Sequence, residues 1–83
     1  MFSINNLKTM EVIDINTGTK LGYIRDFVID TSEYLIKSII IPSNNVSFFG
    51  KVSNIEIPWS KIEKVGNDVV LVDGSELIED INE

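Results

Sequence analysis

Cysteine and histidine are both missing from this chain of 83 residues. Without cysteine there is no disulfide to brace a small fold and no thiolate to ligate a metal. Without histidine the imidazole base is gone as well, so a nucleophile–imidazole pair and the usual zinc ligand sets are excluded. Basic residues are few, and Lys8, Lys20, Arg25, Lys37, Lys51, Lys61 and Lys64 are scattered along the chain. They form no stripe that would neutralise a phosphate backbone, so direct contact with nucleic acid is not expected. Apolar runs are short, Ile39-Ile40-Ile41 among them, against the roughly 20 residues that span a bilayer. The first residues, Met1-Phe2-Ser3-Ile4, lack the basic start and apolar stretch of a secretory signal. The expectation is a cytoplasmic protein that does not associate with membranes.

What the chain has is acid and β-branched residues. Thirteen Asp and Glu face seven Lys and Arg, giving a net charge of −6. Four of the acids, Glu76, Glu79, Asp80 and Glu83, lie beyond residue 75, which leaves the body only mildly acidic. The length allows one core, with a stability of about 4–12 kcal/mol by per-residue scaling. We therefore expect one domain over residues 1–73 and an acidic tail over 74–83. In the tail, Leu77, Ile78 and Ile81 fall at helical spacing. Ten residues are marginal for a helix in water, and acids near its C-terminal end oppose the helix dipole. A frayed tail and a short helix both fit.

The body reads as short strands divided by turns. Residues 11–15 carry β-branched side chains among acids and run into Asn16-Thr17-Gly18-Thr19, where Asn and Gly suit left-handed turn geometry. Residues 21–29 read as a strand, with Gly22 a bend residue near its start. Along it Ile24 and Val28 share one parity while Tyr23, Phe27 and Ile29 share the other, which a β-bulge near Arg25-Asp26 explains. A turn over residues 30–35 precedes a strand at 36–41, which Pro42 ends because it has no N–H for a ladder. Residues 43–51 read as loop, and 52–57 and 69–73 as strands.

Between them, residues 60–65 are expected to form one short helical turn. Pro58 ends the strand before it, Ser60 and Glu63 stand in the spacing of a capping box, and Gly66 stops the turn in a left-handed conformation. Ile62 and Val65 would face the core from that turn.

This order of residues resembles the PRC-barrel domain, the small β-barrel shared by the cytoplasmic part of the photosynthetic reaction centre H subunit and by ribosome-maturation proteins of the RimM type. The residues that carry the resemblance are Glu11-Val12-Ile13-Asp14, Gly18, Leu21-Gly22-Tyr23-Ile24, Asp26, Asp30, Ile36, Ile39-Ile40-Ile41-Pro42, Ile57-Pro58-Trp59, Ile62, Val65-Gly66 and Asp68-Val69-Val70. Length, Phe48-Phe49-Gly50 and Ile57-Pro58-Trp59 place it nearest the small YlmC/YmxH sporulation proteins. The resemblance implies an all-β fold, a PRC-type barrel of about six antiparallel strands. It carries over no catalytic residues. It implies a non-enzymatic adaptor or assembly module linked to sporulation in endospore-forming bacteria. The alternative is a ribosome or RNA-processing accessory acting through a ribosomal protein.

The residues themselves suggest few sites. Asp14, Asp26 and Asp30 would hold a hard cation if they met; the preferred reading is that they bond turn backbones and pair with Arg25 or Lys20. No catalytic, cofactor-binding or metal-binding residue is assigned, and no cofactor is expected. Trp59 is expected to pack over the end of the barrel. In the 43–51 loop, Phe48 and Phe49 point to opposite sides of an extended chain, so one of them is a candidate anchor for a protein partner. The partner is unidentified, and a weak homodimer through an open strand edge is a further expectation.

Overall fold

Strands dominate the computed structural model, which describes residues 3–46, 52–75 and 78–81. The chain opens on a helix absent from the sequence expectations, α1 at Ile4–Lys8. Ser3 starts it, its Oγ accepting from the Asn6 N–H at 3.1 Å, a side-chain cap for one of the first-turn donors. Thr9 closes it by donating its hydroxyl to the Asn6 carbonyl at 2.7 Å. Five residues cannot hold a helix in water. Burial of Leu7, and of Met10 just after the helix, anchors it to the core.

Among the described residues, eight strands form two sheets of four. The first comprises β1 (Glu11–Asp14), β2 (Lys20–Tyr23), β6 (Ile62–Val65) and β7 (Val69–Val72) in the order β2-β1-β7-β6. Its central pair, β1 and β7, is parallel, matching Val12 with Val70 and Asp14 with Val72. Both strands alternate half-buried with buried positions, and these matched residues form the buried set. The second sheet comprises β3 (Asp26–Asp30), β4 (Leu35–Val46), β5 (Val52–Pro58) and β8 (Ile78–Ile81), all antiparallel, in the order β3-β4-β5-β8. Among the described residues no ladder joins the sheets, so the barrel is not closed.

Sequence parity at Tyr23 to Ile29 marks a change of sheet. Residues 21–29 make two strands, with Ile24 and Arg25 between them. Ile24 is buried, and the Arg25 N–H donates to the Ile40 carbonyl at 2.7 Å, hooking the chain onto β4. The bulge lies further on, between Val28 and Ile29. Gly22, at φ +120°, sits where β2 meets β4: a Cβ there would lie 3.3 Å from Ile41 Cγ2. The backbone angle strains any larger residue, and the close approach would also push Ile41 aside.

The core is one cluster: Leu7, Met10, Val12, Ile24, Ile39, Ile41, Ile57, Val70 and Val72, with Leu21, Phe27, Ile55, Ile62 and Val65 packed against it. At its centre, Ile39 on β4 stands between Phe27 on β3 and Ile57 on β5.

Several expectations are corrected. Pro42 does not end β4, which runs on to Val46. The missing N–H instead coincides with an irregular register between Pro42 and Val46. The helical turn is a 3-10 turn of three residues, Trp59–Lys61, started by Pro58 with no side-chain cap. Ser60 therefore lies inside the turn, Glu63 belongs to β6, and the capping box does not form. Gly66 is not at positive φ. Its N–H donates to the Val69 carbonyl at 2.8 Å and closes the β6–β7 hairpin. In the tail, Ile78–Ile81 is neither helical nor frayed but pairs with β5, from Ser53↔Ile81 to Glu56↔Ile78. An open sheet edge offers backbone partners to four residues that a helix of that length could not satisfy internally.

Ile39 and Ile57 are both fully buried, so Ile57→Ala should cost about 2–5 kcal/mol. That is a large share of the total for this size, and a urea titration should show the midpoint fall or the transition disappear.

Candidate functional site

Two places on the molecule gather side chains that the core does not explain. The first is polar and begins with Asp14. Alternation along β1 puts its carboxylate on the inward side, where it is 9% exposed, and a carboxylate so placed needs donors. It has four. Oδ1 accepts from the Asn16 N–H at 3.0 Å, from Asn16 Nδ2 at 3.1 Å and from the Gly74 N–H at 3.1 Å, and Oδ2 accepts from the Thr17 hydroxyl at 3.2 Å. Gly18, at φ +71°, lets the turn close so that its N–H reaches the Asp14 carbonyl at 2.8 Å.

Asp73 completes the cluster. Its Oδ1 accepts from Asn16 Nδ2 at 2.7 Å, from the Ser75 hydroxyl at 2.8 Å and from the Ser75 N–H at 3.1 Å. The Asn16 N–H is the main cause holding the Asp14 carboxyl below its ordinary range, against the opposing effect of burial. The Asn16 side chain, followed by Ser75, lowers Asp73 from 3.8 to about 2. The arrangement is a latch: it ties the β1–β2 turn to the segment leaving β7. Gly74 is required by space, since a Cβ would fall 2.8 Å from Asp14 Cγ. The carboxylate could swing aside only by giving up Asn16 and Thr17.

Asp26 and Asp30 also bond backbone N–H groups. Asp26 Oδ1 accepts from the Phe27 N–H at 2.8 Å, and Asp30 Oδ1 accepts from the N–H groups of Ser32 at 2.9 Å and Glu33 at 3.3 Å. Asp14 and Asp30 thus bond turn backbones as expected, whereas Asp26 bonds an N–H within its own strand. The expected ion-pair partners differ, however: Lys20 meets Glu11 at 3.9 Å and Arg25 meets Asn54 at 3.4 Å. Among the described residues no group of acids could hold a metal ion.

The second place is apolar. Asp30 caps the β3–β4 hairpin turn, and Tyr34 leaves that turn at φ +56°. Such backbone normally belongs to Gly or Asn and costs a residue like Tyr about 1–2 kcal/mol. Tyr34 is 85% exposed, Leu35 is 62% exposed, and Trp59 is 37% exposed. With Ile36 they line an open groove of about 390 Å³ at the end of the second sheet. Trp59, expected as a cover packed over the barrel end, thus presents part of its ring to solvent.

Phe48 and Phe49 lie outside the described residues. Sequence reasoning passed over Tyr34 and Leu35 because it read residues 30–35 only as a turn. The signal was there: two large apolar residues directly after Asp30, Thr31 and Ser32, at the end of a turn where small or polar residues are usual.

Comparison with known proteins agrees with this architecture. The model of the PRC-barrel domain matches residues 1–78. The chain belongs to the PRC-barrel family. One PRC-barrel relative, an uncharacterized protein of Clostridium acetobutylicum, is 58% identical over 76 residues, covering 90% of this chain and 87% of the relative. The probable sporulation protein YlmC of Bacillus subtilis is 40% identical over 78 residues, covering 92% and 96%. The uncharacterized protein YmxH of the same organism is 30% identical over 75 residues, covering 84% and 86%. No solved structure matches. Among the described residues of this PRC-barrel chain, no helix is long and apolar enough to cross a membrane.

The latch and the groove make separate predictions. Because the folded value of Asp73 is depressed, its stabilisation is complete above 3.8 and is lost as pH falls from 3.8 through about 2. The native protein's thermal midpoint should drop over that window, and Asp73→Asn should flatten the drop. Gly74→Ala should cost about 1–3 kcal/mol in a denaturant titration. Tyr34→Asn, by contrast, relieves left-handed strain and should raise stability by about 0.5–1 kcal/mol.

Proposed function

We propose that this chain is a non-enzymatic adaptor that acts in the cytoplasm of sporulating cells and docks a protein partner at the Tyr34–Leu35–Trp59 end of the second sheet. One observation carries the reading. The backbone tolerates a strained conformation at Tyr34 although the residue is 85% exposed. Strain kept at an exposed aromatic points to selection for what that residue touches outside the chain. Aromatic and aliphatic side chains gathered on an exposed surface, here from the β3–β4 hairpin and the 3-10 turn, are common anchors of protein interfaces.

Two facts support the rest. Without histidine and cysteine the chain lacks the commonest catalytic groups, and each carboxylate at the latch and at the hairpin turn is engaged by backbone or neighbouring donors. The link to sporulation rests on the name of the Bacillus subtilis relative, which spans nearly the same length.

The test is affinity capture from sporulating cells with the native chain and with Tyr34→Asn, Leu35→Ser in parallel. A partner recovered with the native chain and reduced about tenfold or more with the variant is the expected result. Equal recovery with both, or no recovery above control, would overturn the reading.

A further inference from the structure

The groove has a chemistry that narrows what can fill it, and this step rests on the adaptor reading above. Its walls are two aromatic rings, Tyr34 and Trp59, and two aliphatic chains, Leu35 and Ile36. Two acids lie at the turn end of the same hairpin. Asp30 is paired in register with Leu35, and its carboxylate accepts two turn N–H groups. Glu33 precedes Tyr34 and is exposed. The base on this hairpin is Lys37, the residue that β3 skips in the register shift between Val28↔Ser38 and Ile29↔Ile36. Around the hairpin the chain as a whole carries thirteen acids to seven bases.

We propose that the occupant is a segment of a partner protein that places an apolar side chain next to a lysine or arginine. The apolar side chain would cover Leu35 and Ile36, removing their exposed surface from water. The cation would lie against the Tyr34 and Trp59 rings, whose faces attract positive charge, with Asp30 and Glu33 adding to the field. A second copy of this chain is disfavoured, because each copy carries a net charge of −6 and association would bring like charge to like charge. An acidic segment is disfavoured for the same reason.

Trp59 is the chain's sole tryptophan, so its emission reports on the groove directly. The probes are a short synthetic peptide with one leucine flanked by lysine and arginine, and the same peptide with both bases replaced by glutamate. The basic peptide should shift Trp59 emission saturably to the blue at low salt, at least about tenfold more tightly than the acidic one, with the gap narrowing as salt rises. Tyr34→Asn, expected to fold at least as well as the native chain, should weaken the basic peptide about tenfold. Equal response to both peptides, no response to either, or unchanged binding by Tyr34→Asn would overturn the assignment. A blue shift that grows with protein concentration alone would overturn it in favour of self-association. Cellular capture keeps the two ideas apart. If capture still depends on Tyr34 while the peptides fail, the charge assignment falls and the adaptor reading stands.

Discussion

Burial of Ile39 and Ile41 along β4 is the interaction on which the rest of the molecule depends. β4 pairs with β3 on one side and β5 on the other, and its two isoleucines are fully enclosed. Ile41 also sets the spacing to the first sheet, because it stands where β2 comes close enough to require Gly22. Moving β4 by one residue would turn both isoleucines outward. The register is therefore fixed from within. Tyr34, Leu35 and Ile36 lie at the outer end of a strand whose inner part cannot slip.

The same logic explains why the two gathered clusters have opposite characters. Asp14 sits on the inward side because β1 alternates, and an inward carboxylate is tolerable only if donors surround it. The turn residues Asn16 and Thr17 and the backbone of Gly74 supply them, and the latch ties the β1–β2 turn to the segment leaving β7. At the far end of the second sheet the balance is reversed. Apolar side chains are left in water, and one of them is held in a conformation that a smaller residue would adopt at lower cost. Polar groups inside and satisfied belong to the fold; apolar groups outside and strained are what an interface needs.

Much of the architecture was legible in the sequence because strands leave a period-two trace. Val12 and Asp14, Val70 and Val72, and Ile55 and Ile57 each kept the alternation that the sheets use. The parity change after Tyr23 was also legible, but it signalled a crossing between sheets, which alternation cannot distinguish from a bulge. The strand at Ile62–Val65 was read as a helical turn because Ser60 and Glu63 have capping spacing, and only pairing with β7 settles which local preference wins. α1 was missed because five residues carry too weak a pattern, although Ser3 was a suitable cap. Asp73, Gly74 and Ser75 were unreadable as a unit with Asn16, since their proximity comes from the parallel β1–β7 pairing. The aromatic pair at Phe48 and Phe49 drew notice by its composition. Tyr34 needed a backbone angle to stand out.

The measurement that tests the central claim most directly is amide and indole N–H chemical-shift mapping of the isotope-labelled chain, titrated with any protein recovered by affinity capture. The account predicts that the largest perturbations fall on residues 31–36 and on the Trp59 indole, while Asn16 and Gly74 at the latch stay unchanged. Perturbations confined to the β3 or β6 edge, with the Trp59 indole unmoved, would contradict it and place the interface on a strand edge instead.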